Sequence, residues 1–99
     1  MHLEVREQGV ELTDSARARL GRRLDFALGR LGETVSRVWA QFSDASADGG
    51  PATRCRMLVR MAHQRDVLVE DTQSDLNALI DHTSHLAGLA ARRELARPH

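Results

Sequence analysis

The chain has no lysine, no tyrosine, one cysteine, two prolines, three aromatic side chains and no net charge. Each scarcity removes a class of explanation. Cys55 has no partner within the chain, so no intrachain disulfide is possible and nothing argues for an oxidising compartment. The balance of 14 basic and 14 acidic residues leaves no overall field to draw the protein to nucleic acid, so clustering would have to supply that attraction. Nowhere does the sequence approach the roughly 20 consecutive apolar residues of a membrane span, and Met1 to Arg6 shows neither a basic n-region nor an apolar run. The expected setting is the cytoplasm, with no membrane partner. Phe26, Trp39 and Phe42 are the only aromatics, so the core must be mainly aliphatic.

What is present fits one domain over residues 1–99, long enough for a single modest core. Every basic residue other than histidine is arginine. A GC-rich genome produces this bias, and arginine is also the better fork for phosphates.

Hydrophobic periodicity gives the elements. Leu3 and Val5 alternate with His2, Glu4 and Arg6 as a first strand, ended by Gln8-Gly9. Thr13 and Asp14 offer caps for a helix from about Asp14 to Leu31, with Ala16, Leu20, Leu24, Ala27, Leu28 and Leu31 as its apolar stripe and Gly29 and Gly32 at its end. From Val35 the period becomes two, placing Val38, Ala40 and Phe42 on one face and Arg37, Trp39 and Gln41 on the other. Ser43 to Ala52, around Asp48-Gly49-Gly50-Pro51, has the composition of a mobile connection without structure of its own. A third strand sets Cys55, Met57, Val59 and Met61 against Arg54, Arg56, Leu58 and Arg60. His63 to Asp66 is a hairpin turn lacking the usual glycine, and the fourth strand runs from Val67 to about Glu70. After a polar break at Asp71 to Ser74, Asp75 caps a long helix whose apolar side is Leu76, Leu79, Ile80, Leu86, Ala87 and Ala90.

The order strand, helix, three strands, helix predicts an α+β fold, β-α-β-β-β-α, with a four-stranded mixed sheet and both helices on one face. The other face, carrying Arg37, Trp39, Gln41, Arg54, Arg56 and Arg60, is left to solvent.

Little in the sequence suggests catalysis. His82 and His85 stand three apart and lack a third ligand, since nothing places His63 beside them, so no metal is expected. Cys55 belongs to an inward set and reads as a core residue. The aspartates form no pair forced together for acid–base work, Asp14 and Asp75 being better explained as caps. Gly49-Gly50 lacks the pattern of a phosphate loop, and no cofactor or small-molecule substrate is implied. The arginines remain. Arg19, Arg22, Arg23 and Arg30 gather on a flank of the first helix with Phe26 among them, while His85, Arg92, Arg93 and Arg97 fall off the apolar side of the second. Side by side, the two groups would form one basic surface. The plainer reading is a pair of solvated faces balanced by Asp25, Glu33 and Glu94. Arg37, Arg54, Arg56 and Arg60 with Trp39 form a second candidate surface, where cross-strand pairing with Asp66 or Glu70 is the plainer reading.

Val10-Glu11-Leu12-Thr13-Asp14-Ser15-Ala16-Arg17, after the first strand, resembles the opening of the ribosome hibernation promoting factor and ribosome-associated inhibitor family, also called sigma-54 modulation proteins. Ser74-Asp75-Leu76-Asn77-Ala78-Leu79-Ile80-Asp81 resembles that family's second signature, at the start of the last helix. The resemblance spans nearly the whole chain, in the same element order. It implies a short form without the dimerisation module of long members. It also implies binding to the small ribosomal subunit and its RNA, blocking the messenger and transfer RNA path during stationary phase or stress. By position, the RNA-holding residues would be Arg19, Arg22, Arg23 and Arg30 with Arg92, Arg93 and Arg97. The reduced basic tail predicts a weaker, salt-sensitive hold. Two other functions are compatible with the chain: a protein-binding or self-associating module using the open sheet face, and an RNA binder acting outside the ribosome.

Overall fold

The computed structural model describes residues 1–98. In chain order the elements are β1 (His2–Gln8), α1 (Asp14–Leu28), β2 (Val35–Asp44), β3 (Thr53–Met61), β4 (Val67–Gln73) and α2 (Leu76–Ala96), with a 3-10 segment, Gly29–Thr34, leading into β2. The strands lie in the order β1-β2-β3-β4 in one sheet. β1 pairs parallel with β2, and the remaining neighbours pair antiparallel. This is the expected α+β architecture. Because β1, β2 and β4 all run the same way, the helices that leave β1 and β4 run parallel to each other, with both N-termini at one end of the sheet.

Local chemistry fixes where the helices start. Thr13 Oγ1 accepts the Ala16 N–H at 3.0 Å and Asp75 Oδ1 accepts that of Asn77 at 3.0 Å, each satisfying an amide that has no partner within the helix. Asp14, a candidate cap, is instead the first helical residue, where its charge favours the positive end of the helix dipole. Leu20, Leu24 and Leu28 of α1 and Leu79 and Ile80 of α2 are buried against Val38, Ala40, Phe42, Cys55, Met57 and Val59 of the sheet. Burial pushes the Cys55 thiol up to about 12, so at neutral pH it is a protonated core group.

The structure departs from the sequence reading at four places. First, α1 stops at Leu28 rather than Leu31; the chain tightens into the 3-10 segment from Gly29, which breaks at Gly32, where φ is 55°. Second, β2 persists to Asp44 and β3 begins at Thr53, and an Ala47–Gly50 bridge closes what remains. The 43–52 connection is therefore a structured turn. Third, β4 continues to Gln73, since Asp71 is held at the sheet edge by Gln73 Nε2 at 2.7 Å and His82 Nδ1 at 2.8 Å. Fourth, Leu86 and Ala90 are only half-buried, while Thr83, Ser84, Gly88 and Ala91 are buried beside Leu79, Ile80 and Ala87. The small residues let the helices approach closely. A Cβ on Gly88 would lie 3.0 Å from the Ala27 carbonyl oxygen and 3.2 Å from the Ala27 Cβ. The glycine-free hairpin turn forms where the sequence suggests, with His63 itself supplying its left-handed residue at φ 61°.

Candidate nucleic-acid interface

Along the seam between the helices, Arg19 donates Nε and Nη2 to the two carboxylate oxygens of Asp81 at 2.8 and 2.6 Å. Arg23 Nε adds a contact to the same carboxylate at 3.0 Å. The hydrogen bond from Arg19 holds Asp81 below the usual carboxylate range, and Asp81 in turn raises Arg19. Arg19 is therefore a tie between helices, with much of its charge already answered. Sequence reasoning missed this, assigning the balancing role to Asp25, Glu33 and Glu94. Of those three only Glu94 takes part in an ion pair among the described residues, holding Arg65 at 3.6 Å and Arg97 at 3.5 Å.

Nearer the C-terminal ends of the helices the picture changes. Arg22, Arg30, Arg92 and Arg93 are exposed, and none has a carboxylate within 4.0 Å among the described residues. Two adjoining hollows meet at Phe26 and Arg92. One is lined by Arg23, His85 and Ser84, the other by Arg30 and Leu31. Arg92 Nη1 reaches the Ala27 carbonyl at 3.4 Å, which lays its guanidinium along the seam. Phe26 rises between the hollows, 85% exposed. The structure thus brings Arg23, Arg30, His85 and Arg92 together. Arg22 and Arg93 are exposed on their helices outside the two hollows, and Arg97 turns to Glu94 beside the His63–Arg65 turn.

The opposite face of the sheet carries the second candidate set. Arg37 and Arg60 lie over the Trp39 ring at 5.4 and 4.9 Å from its centroid. Arg56 faces Glu70 across the strands at 3.4 Å, Arg60 reaches Asp66 at 3.5 Å and Arg6 reaches Glu4 at 3.2 Å. Arg54 is exposed in the row that ends at Thr72. Between the arginine rows, Trp39, Leu58 and Leu68 pair in register as a short apolar row, with Leu68 54% exposed.

Parallel helices also sort the charge. Glu7, Glu11, Asp14, Asp44, Asp48, Asp71 and Asp75 collect at the end where both helices begin, answered there by Arg17 and Arg54. Arg30, Arg37, Arg60, Arg65, Arg92, Arg93 and Arg97 outnumber Asp25, Glu33, Asp66 and Glu94 at the end where both finish. Acid at helix N-termini and base at C-termini both suit the helix dipoles. A chain with zero net charge is in this way acidic at one end and basic at the other.

The three histidines considered as ligands do not converge: His82 bonds Asp71, His85 lines a hollow and His63 sits in the β3–β4 turn. Among the described residues no helix is long and apolar enough to cross a membrane.

No protein-family model matches the sequence, and no curated protein sequence matches it. Solved structures do. A ribosomal subunit interface protein from Coxiella burnetii is 15% identical and superposes with a TM-score of 0.74, covering 96% of this chain and 99% of that one. The N-terminal domain of Protein Y from Thermus thermophilus is 22% identical, with a TM-score of 0.69 over 94% of this chain and 98% of its own. The fold implied by the family resemblance is thus the fold these two proteins share with the chain.

Proposed function

We propose that this protein binds the small ribosomal subunit in the cytoplasm and inhibits translation by occupying the messenger and transfer RNA path, in the manner of a hibernation factor. It catalyses no reaction in this reading. Its arginines hold ribosomal RNA phosphates, and the bound body excludes the natural ligands sterically. The observation that carries the reading is the group of arginines at the C-terminal ends of two parallel helices that have no carboxylate within 4.0 Å among the described residues, in a fold shared with a ribosomal subunit interface protein. An arginine without an internal partner keeps its full charge for phosphate, and each phosphate contact adds both affinity and salt dependence.

Co-sedimentation of the purified protein with small subunits and whole ribosomes across a salt series, with an unrelated structured RNA as control, tests this directly. Binding to ribosomes in preference to the control, released as salt rises, is the expected outcome. Comparable binding to the control RNA would instead mark an RNA binder acting outside the ribosome. Absence of ribosome binding at low salt overturns the reading. A second function rests on the Trp39, Leu58 and Leu68 row, which offers a protein contact or a site of self-association. Tight self-association insensitive to salt would favour it.

A further inference from the structure

Among the described residues, Phe26 is the one large apolar side chain in either helix that stands out in water. Burying it would be favourable by the ordinary hydrophobic effect, yet the fold places one of only three aromatic residues here. Its neighbours explain what could cover it. Arg23 and Arg30 lie about one turn before and after it, and Arg92 reaches across from α2, so each hollow beside the ring holds two guanidinium groups and one carboxylate, Asp81 on the Arg23 side and Asp25 on the Arg30 side. At the bottom of the hollow on the Arg23 side lies Ser84, whose buried hydroxyl has no hydrogen-bond partner. An apolar protein partner would meet cations it must desolvate without pairing. A base-paired helix offers phosphates to the arginines and no exposed base face to the ring. An unpaired nucleotide offers both, a flat base for Phe26 and a phosphate for the arginines beside it.

We infer that Phe26 is a stacking platform for an unpaired RNA base, with the flanking phosphates held by Arg30 and Arg92 and, through the part of its guanidinium not engaged by Asp81, Arg23. This deepens the ribosome-binding reading, on which it rests, by naming what the site takes: single-stranded or looped RNA with a base free to turn out. The ring contributes selectivity for unpaired over paired RNA, while the arginines contribute affinity for either.

The experiment uses the full chain with two labelled RNAs, an unstructured oligonucleotide and its perfect duplex, followed by fluorescence anisotropy at low salt. Small-subunit co-sedimentation runs in parallel. Phe26→Leu keeps an apolar side chain and loses the flat ring, and Phe26→Trp keeps a ring. The wild type should prefer the single strand. Phe26→Leu should lose roughly tenfold on the single strand and little on the duplex, and Phe26→Trp should retain the preference. When Phe26→Trp is combined with Trp39→Phe, the one remaining indole reports on the platform, and the single strand should quench its emission. Equal losses on both RNAs, unchanged single-strand binding in Phe26→Leu, or no measurable single-strand binding by the wild type would each sink the stacking role. The two readings fail separately. Wild-type ribosome binding that is indifferent to Phe26→Leu leaves the proposed function standing and removes the platform. Ring-dependent single-strand binding without ribosome binding does the reverse.

Discussion

The helix face and the sheet face both carry clustered arginines beside an aromatic ring, and they differ in what those arginines touch. Across the sheet, antiparallel register sets Arg56 opposite Glu70, while Arg60 finds Asp66 and the two cations nearest Trp39 lie against its ring. Near the ends of the helices no acid lies within reach of Arg30, Arg92 or Arg93 among the described residues, and the ring beside them is bare. The presence of clustered arginines does not by itself separate the two faces. What distinguishes them is the charge left over after internal pairing, which is what a phosphate meets: among the described residues Arg22, Arg30, Arg92 and Arg93 have no carboxylate within reach on the helix side, against Arg37 and Arg54 on the sheet side, where Arg37 already lies on the Trp39 ring.

The contrast can be broken most decisively by charge reversal. Arg30→Glu with Arg93→Glu should weaken ribosome binding on the order of a hundredfold and lower the salt dependence, whereas Arg54→Glu with Arg56→Glu should change it only a few-fold. Arg30 and Arg93 serve better than Arg23, whose replacement would also set a second carboxylate beside Asp81. Similar losses from both double variants, measured by co-sedimentation, would make the two faces equivalent and the comparison empty.

Next in size is the seam that brings the arginines together. Gly88→Val drives methyl groups into the Ala27 backbone and should cost about 1–3 kcal/mol of stability in denaturant titration. Gly21→Ala, with open space around the new Cβ, should be neutral or stabilise by up to about 1 kcal/mol. If Gly88→Val proves harmless, the helices are not as close as described.

The Asp81 clamp gives a pH-dependent version of the same test. Because its carboxyl is lowered in the folded state, the clamp contributes fully above the ordinary carboxylate pKa of about 4 and fades as pH falls through the folded value. Asp81→Asn should therefore lower the melting temperature at pH 7 and narrow its gap to the wild type in strong acid. A gap that stays constant from neutral pH into strong acid would show that the carboxylate charge is not what ties the helices. Smallest of all, Leu68→Ser on the sheet face should leave stability within about 0.5 kcal/mol and ribosome binding unchanged. A marked loss of binding would move the functional surface to Trp39, Leu58 and Leu68.

Most of the architecture is legible in the sequence because alternation is strict where a strand is buried on one side. Val38, Ala40 and Phe42, like Cys55, Met57, Val59 and Met61, are apolar at every inward position. The end of β4 is not legible, because Asp71 occupies an inward-facing edge position and is satisfied by Gln73 and His82 rather than by apolar neighbours. The buried side of α2 is half hidden for a different reason. Ser84 and Gly88 do not register as hydrophobic, yet with Ala91 their three- and four-residue spacing after Ile80 is the signal of a close helix contact. Arg19 and Asp81 are 62 residues apart in sequence, and only the parallel course of the helices makes them neighbours. The two arginine groups are visible as groups, but which members remain free is not, since that depends on partners across the seam.

The sorting of acid and base to opposite ends has a consequence for arrival as well as for binding. In the field of a polyanion this molecule feels almost no net pull at long range, because its charges cancel. Within a Debye length, about 10 Å at roughly 0.1 M salt, it feels a torque. The end holding Arg30, Arg92 and Arg93 swings toward the phosphates before contact, and the end holding Glu11, Asp14 and Asp48 is held off. A uniformly basic protein of this size would cling to any nucleic acid in any pose. This one has an electrical front and back, so a polyanion would meet it in one orientation or repel it.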